Sequence, residues 1–309
     1  MLISINGALV PRAEATVSVF DSGFILGDGV WEGLRVIDGG IAFLDAHLRR
    51  LYEGARAIDM DIGVTPDALA DRLFDCLDAN AMTDGVHIRL MVTRGIKSTP
   101  YQDPRVTISA ATIVIIAEYK SPAPESEANG LSLFTSTIRR TGPDQQDQKL
   151  NSHSKLNCIQ ACIQATKAGA DEALMLDPRG FVATCNSTHF FIVRDSTVVT
   201  SSGMYCLGGI TRRNILRVCA ELGIDAHEQD FSLVDAYGAD EAFVTGTFAG
   251  VTPVFEIDGR QIAPVLAAAS GASTELPGPI TLRIAAGYRA RARRSLWYRG
   301  MRLDGAKTG

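Results

Sequence analysis

An α+β protein of two domains is predicted: a small α/β domain over residues 1–119 and a larger, barrel-like domain over residues 131–288. Three observations carry this. Early in the chain, apolar runs joined by turn residues alternate with leucines at helical spacing. The stretch KSPAPESEANG, 120–130, is polar and rich in Pro, Ser and Glu, the composition of an interdomain linker. Beyond it, many short strand-like runs and few long helical ones favour a curved sheet. A basic tail occupies residues 289–309.

In the first domain, LISING and ATVSVF read as a hairpin over residues 1–20. VWEGLRVI and IAFL flank Asp38-Gly39-Gly40 and make a second one, because Asp-Gly supplies the positive φ of a tight turn. HLRRLYEGARAI, 47–58, has helical spacing at Leu48, Leu51 and Ala55. Thr65 as N-cap and Pro66 at the first helical position open another helix, striped by Leu69, Leu73 and Leu77. Strands follow at 87–94 and 106–119. In the second domain, strands are expected at 131–141, 172–177, 180–184, 189–194, 197–200, 241–245 and 252–257, with helices at about 154–168, 211–222 and 231–237. Residues 264–276 are small and turn-prone, and the tail reads as a last helix with a disordered end.

Composition excludes several function classes. With 46% hydrophobic and 21% charged residues and a net charge of −5, the chain is an ordinary globular protein without a footprint for nucleic acid or an anionic membrane. It holds no run of ~18 apolar residues, and MLISINGALVPR lacks the basic and apolar regions of a signal peptide. The six cysteines, at 76, 158, 162, 185, 206 and 219, form no CxxC pair and no zinc spacing. Free thiols, no metal and a cytoplasmic location are expected.

Two turns have the make-up of a phosphate cradle. Gly208-Gly209-Ile210-Thr211 precedes the helix RRNILRVCAELG, and a glycine turn at a helix N-terminus presents backbone N–H groups to an anion. Thr245-Gly246-Thr247 ends the strand EAFVT with further hydroxyls and amides. Each alone reads equally well as an ordinary loop; together they fit one monophosphate held from two sides. An arginine forking onto its oxygens would complete the cradle, and Arg50 in HLRRL is the candidate. Pyridoxal 5′-phosphate also needs a lysine able to form a Schiff base and shuttle a proton. In DQKLNSHSKLNCIQACIQATKAG, Lys149 lies before the helix that Ser152 or Ser154 caps, and Lys155 falls in its first turn. Lys149 is preferred, with Lys155 as the alternative. Lys167, in the last turn, suits the helix dipole.

These segments, in this order, resemble the fold-type IV pyridoxal-phosphate enzymes, over residues 1 to about 260. That family holds branched-chain and D-amino-acid aminotransferases, (R)-amine transaminases and aminodeoxychorismate lyases. FDSGFILGDGVWEGLRV looks like its first active-site strand pair, HLRRL its His-x-x-Arg-Leu helix, and GADEALMLDPRGFV its mid-domain hairpin. LGGITR looks like its phosphate turn and VTGTFAGVTPVFEIDGR its closing loop. The resemblance implies a homodimeric aminotransferase using pyridoxal 5′-phosphate, with Arg50, Gly209, Ile210, Thr211 and Thr247 around the phosphate. It departs from the family at Thr184, where the glutamate that pairs with the pyridinium nitrogen usually stands, and at His189, usually asparagine. A threonine supplies no such charge, so a lyase that eliminates a group without a keto-acid acceptor stays open.

For substrate, His87-Ile88-Arg89 looks like the Tyr-Ile-Arg strand of branched-chain aminotransferases, with Arg89 facing the substrate carboxylate. VTRG (92–95) is similar to the D-amino-acid enzymes, but their carboxylate-binding arginine a few residues on is absent from IKSTPYQDP. Trp31 and Phe248 would wall an apolar pocket. A branched-chain-like amino acid and a 2-keto acid are thus the first expectation for substrates, with a D-amino acid or (R)-amine next.

Overall fold

The computed structural model describes residues 1–123, 129–264 and 276–303. The chain forms two compact units: Met1–Ser121, Leu150–Ser154 and Ala292–Gly309 in the first, Pro122–Lys149 and Lys155–Arg291 in the second. The linker expected at 120–130 lies in part outside the described residues, as do most of 264–276 and the expected disordered end at 304–309.

The first unit contains β1 (Leu2–Ile5), β2 (Ala8–Pro11), α1 (Ser22–Leu26), β3 (Gly29–Ile37), β4 (Gly40–Ala42), α2 (Leu44–Ala57), α3 (Pro66–Ala79), β5 (Val86–Thr93) and β6 (Thr112–Tyr119). With Leu296–Trp297 they form an antiparallel sheet ordered Leu296–Trp297, β4, β3, β5, β6, β1, β2. Leu48 and Leu51 of α2 and Leu69 and Leu73 of α3 pack with Leu34, Val36, Ile88, Leu90 and Ile115 from one face of this sheet. Thr65 caps α3 through its side chain, which accepts from Ala68 N, with Pro66 behind it.

Three expectations need correction here. The first hairpin closes much earlier than ATVSVF, because Asn6 (φ 54°) and Gly7 (φ 90°) form a two-residue turn that pairs Ile5 with Ala8. The strand expected from 106 begins only at Thr112, since Pro104–Val106 is a 3₁₀ turn that proline's fixed φ favours. The tail is not separate from what precedes it: a helix runs through it from Pro279 to Arg294.

The second unit contains β7 (Leu131–Thr135), α4 (Pro143–Gln146), α5 (Leu156–Lys167), β8 (Glu172–Leu176), β9 (Val182–Cys185), β10 (His189–Arg194), β11 (Thr197–Thr200), α6 (Ile210–Glu221), β12 (Ala226–Glu228), α7 (Leu233–Tyr237), β13 (Glu241–Gly246), β14 (Gly250–Ile257), β15 (Arg260–Gln261) and α8 (Pro279–Arg294). β7 is shorter than the strand expected over 131–141. Its nine strands form a curled half-barrel in the order β12, β11, β10, β13, β14, β7, β8, β9, with β15 beside β14. One face holds the core of Leu174, Phe190, Ile192, Val244, Val254 and Ile257. The alternate residues of β10 and β13 turn the other way, where Phe191 stacks on Phe243 at 4.9 Å and His189 pairs with Thr245. Gly287 lets α8 approach α6 closely: a Cβ there would lie 2.6 Å from Val218.

Candidate active site

In the first unit, β3 and β5 bring three expected substrate residues onto one face. Gly33 pairs with Arg89, Arg35 with His87 and Trp31 with Met91. The Arg89 guanidinium lies 3.8 Å from the Trp31 ring centre, a cation–π stack. Gly33 makes room for the neighbouring rings, because a Cβ would sit 3.1 Å from His87 Nε2 and 3.7 Å from the Trp31 ring. Burial pushes His87 down to about 4, helped by the charges of Arg89, Lys120 and Arg35, so this imidazole is neutral near pH 7. Arg89 also borders a cavity of about 390 Å³ walled by Ile3, Ile5, Val17, Val114 and Ile116. Trp31 is fixed from behind: its Nε1 donates to Ser152 O at 3.1 Å, and Asn151 Nδ2 donates to Trp31 O at 2.6 Å.

Arg50 belongs to a buried ionic cluster that sequence reading missed. Its Nε and Nη2 donate to the two oxygens of Glu32, each at 2.7 Å, and His47 Nδ1 donates to Glu32 Oε2 at 2.7 Å. Glu32 is fully buried. Burial alone would raise its pKa, but Arg50's charge and the hydrogen bonds from His47 and Arg50 hold it below the ordinary value. His47 is shifted down, burial outweighing its bond to Glu32. The sequence did contain a signal: in β3 the inward positions are Val30, Glu32, Leu34 and Val36, so a carboxylate stands where an apolar residue belongs.

In the second unit, both phosphate-sized turns meet around His189 and Tyr288. The His189 ring packs under Gly209, where a Cβ would lie 2.4 Å from Cε1, and its Nε2 is 2.8 Å from Leu207 O. Gly209 caps α6 without a side-chain hydrogen bond, and Ile210 and Thr211 occupy the buried first turn. Tyr288 spans the two turns: its hydroxyl is 3.4 Å from Thr211 Oγ1, and its ring lies 3.1 Å from where a Cβ of Gly250 would be. Gly250 pairs with Gly246, so Thr247 and Phe248 sit in the intervening turn, both half-buried. Thr184 is buried and donates to Thr188 O at 2.8 Å. The nearby buried carboxylate, Glu172, is already engaged by the amides and hydroxyls of Ser187 and Thr188. Lys149 is exposed in the turn after α4, while Lys155 is half-buried at the N-cap of α5.

A family model described as amino-transferase class IV matches residues 29–257. The chain belongs to the class IV aminotransferases. It is 40% identical over 263 residues to a putative branched-chain-amino-acid aminotransferase of Methanocaldococcus jannaschii, covering 85% of this chain and 90% of that protein. It is 36% identical over 289 residues to branched-chain-amino-acid aminotransferase-like protein 2 of Arabidopsis thaliana, covering 94% of this chain. The chain spans only about half the length of that plant relative, and of its like protein 1. D-alanine aminotransferases match at lower identity, 31% for that of Bacillus licheniformis. Among solved structures, a T.th. branched-chain amino acid aminotransferase with pyridoxamine 5′-phosphate superposes with a TM-score of 0.85 at 30% identity, covering 96% of this chain and 98% of that one.

Class IV aminotransferases use pyridoxal phosphate. The second unit fits such a group. The first-turn N–H groups of α6 favour an anion, and Gly209 leaves no side chain over them. Thr245 Oγ1, in register with His189, is buried without a hydrogen-bond partner among the described residues, as a polar atom awaiting a ligand would be. Tyr288 was not foreseen, because its helix was read as beginning in the tail. The spacing of buried Ile284 and Tyr288, one turn apart, was the available signal.

Proposed function

We propose that this class IV aminotransferase moves an amino group between an aliphatic, branched-chain-like amino acid and a 2-keto acid, using pyridoxal phosphate. The observation that carries the substrate reading is the Arg89–Trp31 stack beside neutral His87, at a cavity walled by Ile3, Ile5, Val17, Val114 and Ile116. Arg89 supplies the charge for a carboxylate, and the aliphatic walls suit an alkyl side chain. His87, kept neutral, can offer a hydrogen bond but no second charge.

Bound pyridoxal phosphate supplies the electron sink that stabilises charge at the substrate Cα. The chain's own groups hold and orient. Arg50, Gly209, Ile210, Thr211 and Thr247 take the phosphate, while Thr184 and His189 line the ring's surroundings. Trp31, His87, Arg89 and Phe248 contact the substrate. A lysine binds the cofactor and carries the proton at Cα. Lys149 is the first candidate from sequence, but it is exposed, whereas Lys155 is half-buried. Burial therefore favours Lys155. The two replacements Lys149→Ala and Lys155→Ala decide between them: the variant that loses the absorbance of lysine-bound cofactor marks the residue, and a band that survives in both sinks the assignment.

The main test is the visible spectrum of the holoenzyme with a panel of L- and D-amino acids and (R)-amines. Conversion to the pyridoxamine form by L-leucine, L-isoleucine or L-valine supports the reading; conversion by D-amino acids alone overturns it. Two observations bear on the runners-up. The cation in the loop after Gly95 is Lys97, whose buried ammonium donates to Asp103 O at 3.1 Å, a weak candidate for the D-enzymes' arginine role. Thr184 favours the lyase, which would release product with no keto acid present.

A cytoplasmic homodimer completes the proposal. Exposed Val19, Phe20, Phe24 and Ile108 in the first unit, and Leu156, Ile159 and Ile163 along α5 in the second, are surfaces suited to self-association. No helix among the described residues is long and apolar enough to cross a membrane, and the six cysteines are free thiols. Sedimentation velocity that returns a monomer at micromolar concentration would remove the dimer.

A further inference from the structure

Arg212 stands in the first turn of α6, one residue after Thr211, and is buried there. For stability alone it is badly placed. A cation at a helix N-terminus opposes the helix dipole, and the first turn of α6 holds no acid to offset it. Its Nε is buried without a hydrogen-bond partner among the described residues, a further cost. The rest of the guanidinium is firmly held. Nη2 donates to Ser201 O, and Nη1 pairs with Glu228 Oε1 of β12 at 2.5 Å. Gly203, at φ 83°, lies across it: a Cβ there would be 3.6 Å from Nη2 and 3.9 Å from Cζ.

Ser201 is where the chain leaves β11, and the segment that begins there delivers the turn Gly208–Thr211 to α6. Several side chains tie this segment down. Ser201 Oγ donates to Ala183 O at 2.7 Å and Ser202 Oγ to Asp230 Oδ1 at 2.6 Å, while Arg140 Nε donates to Tyr205 O at 3.3 Å and His189 Nε2 to Leu207 O at 2.8 Å. Of these ties, only the one from Arg212 comes from α6, so it closes the start of the segment onto the helix that the segment feeds. The closure matters because two adjacent glycines leave the turn with much backbone freedom, and an anion site is strong when its N–H groups are fixed before the anion arrives. We propose that Arg212 is a positioning residue for the phosphate turn: by fastening Ser201 O to the first turn of α6 it holds Gly208–Thr211 in the shape that receives a phosphate. A phosphate there would also offset the charge that Arg212 places at the wrong end of the helix. This rests on the reading that the turn binds the cofactor phosphate, and every group named lies in the second unit.

The experiment titrates the full-length apoprotein by absorbance with pyridoxal phosphate and with pyridoxal, which lacks the phosphate, and reads the preference for the first over the second. Arg212→Met keeps much of the bulk and removes the fork and the charge. It should weaken pyridoxal phosphate roughly tenfold, the effect of losing one charge-assisted hydrogen bond, and leave pyridoxal unchanged. Arg212→Lys keeps the charge but cannot hold Ser201 O and Glu228 together, and it should lower the preference too. Equal weakening of both ligands, or an unchanged preference, in Arg212→Met would mean a purely structural clamp and overturn the proposal. A full preference in Arg212→Lys would mean that charge alone acts, and overturn it as well. If Arg212→Met is insoluble, Glu228→Ala, at an exposed residue, removes one of the two anchors and should lower the preference a few-fold; no change there counts against the proposal in the same way. Gly208→Asp separates the underlying reading. A Cβ at Gly208 has open space, and the added carboxylate would stand at the N-terminus of α6 and repel a phosphate. A preference that survives Gly208→Asp overturns the phosphate role of the turn itself.

Discussion

Replacing Gly209 with alanine adds a methyl group where the second unit has no room for one. The backbone there, φ −65° and ψ 126°, is open to any residue, so the cost is contact rather than backbone strain. The new Cβ would lie 2.4 Å from Cε1, 2.8 Å from Nδ1 and 3.0 Å from Nε2 of His189. Three ring atoms are met at once, so a small side-chain rotation cannot relieve them, and a larger one breaks the 2.8 Å contact of Nε2 with Leu207 O. Overpacking of this kind costs about 1–3 kcal/mol. Alanine is also a poorer N-cap than glycine, which adds up to roughly 1 kcal/mol. The expected total of about 1–4 kcal/mol lowers the melting midpoint by roughly 2–10 °C. The assay is thermal unfolding of the apoprotein, with cofactor affinity measured alongside. Gly209→Ala should melt early and bind pyridoxal phosphate weakly, and Gly209→Ala/His189→Ala should recover much of the lost stability, because the second change clears the space. A single variant as stable as the parent, or a double variant whose losses simply add, would refute the contact argument.

Other outcomes follow from the same geometry. Arg89→Lys should raise KM for carboxylate substrates roughly tenfold, since the planar stack on Trp31 is lost, while the dissociation constant of pyridoxal phosphate stays put. Tyr288→Phe should weaken the cofactor a few-fold and cost about 0.5–1.5 kcal/mol in urea unfolding, through loss of the bond to Thr211. Thr184→Val should cost only about 1 kcal/mol in the same assay, because Thr188 O keeps its bond from Cys185 N. In acid, His87 and Glu32 act in the same direction. His87 is depressed from 6.5 to about 4, so the unfolded chain binds its proton first and stability falls as pH drops through that window. Glu32, held below 4.5, stabilises the fold above that value and stops doing so as pH falls through its lowered pKa. His87→Gln should therefore flatten the upper part of the acid-unfolding curve, measured by circular dichroism between pH 7 and 4.

Much of the fold was legible because local rules and tertiary packing agree. Thr65-Pro66 opens α3 and Asp38-Gly39 turns β3 into β4, each through its own backbone preference. The first hairpin was misread because Asn6-Gly7, an equally strong turn signal, was passed over in favour of a later apolar run. At the site, motifs singled out Gly209, Thr211, Arg89 and Trp31 as candidates, on residue type and local spacing alone. Glu32, His47 and Tyr288 were invisible as partners, because what defines them is a neighbour distant in sequence: Arg50 for the first two and Thr211 for the third. Between Lys149 and Lys155, position before the helix favoured Lys149, whereas burial, which spacing does not reveal, favours Lys155.

The first unit is assembled from three separate stretches of chain. Residues Leu150–Ser154 belong to it, with Ser152 bridging Val30 and Asn151 bonded to Trp31, and Leu296–Trp297 completes its sheet beside β4. On the ribosome this unit cannot close when residue 119 emerges. Its edge strand is made last, after roughly ten seconds or more of further elongation at ordinary rates. Through that interval Gly40–Ala42 presents an unpaired strand edge, and Trp31 gains its partners only once residues 151 and 152 have emerged. A nascent chain stalled before residue 296 should accordingly recruit holding chaperones and be cut readily by protease, and one released past residue 297 should resist both.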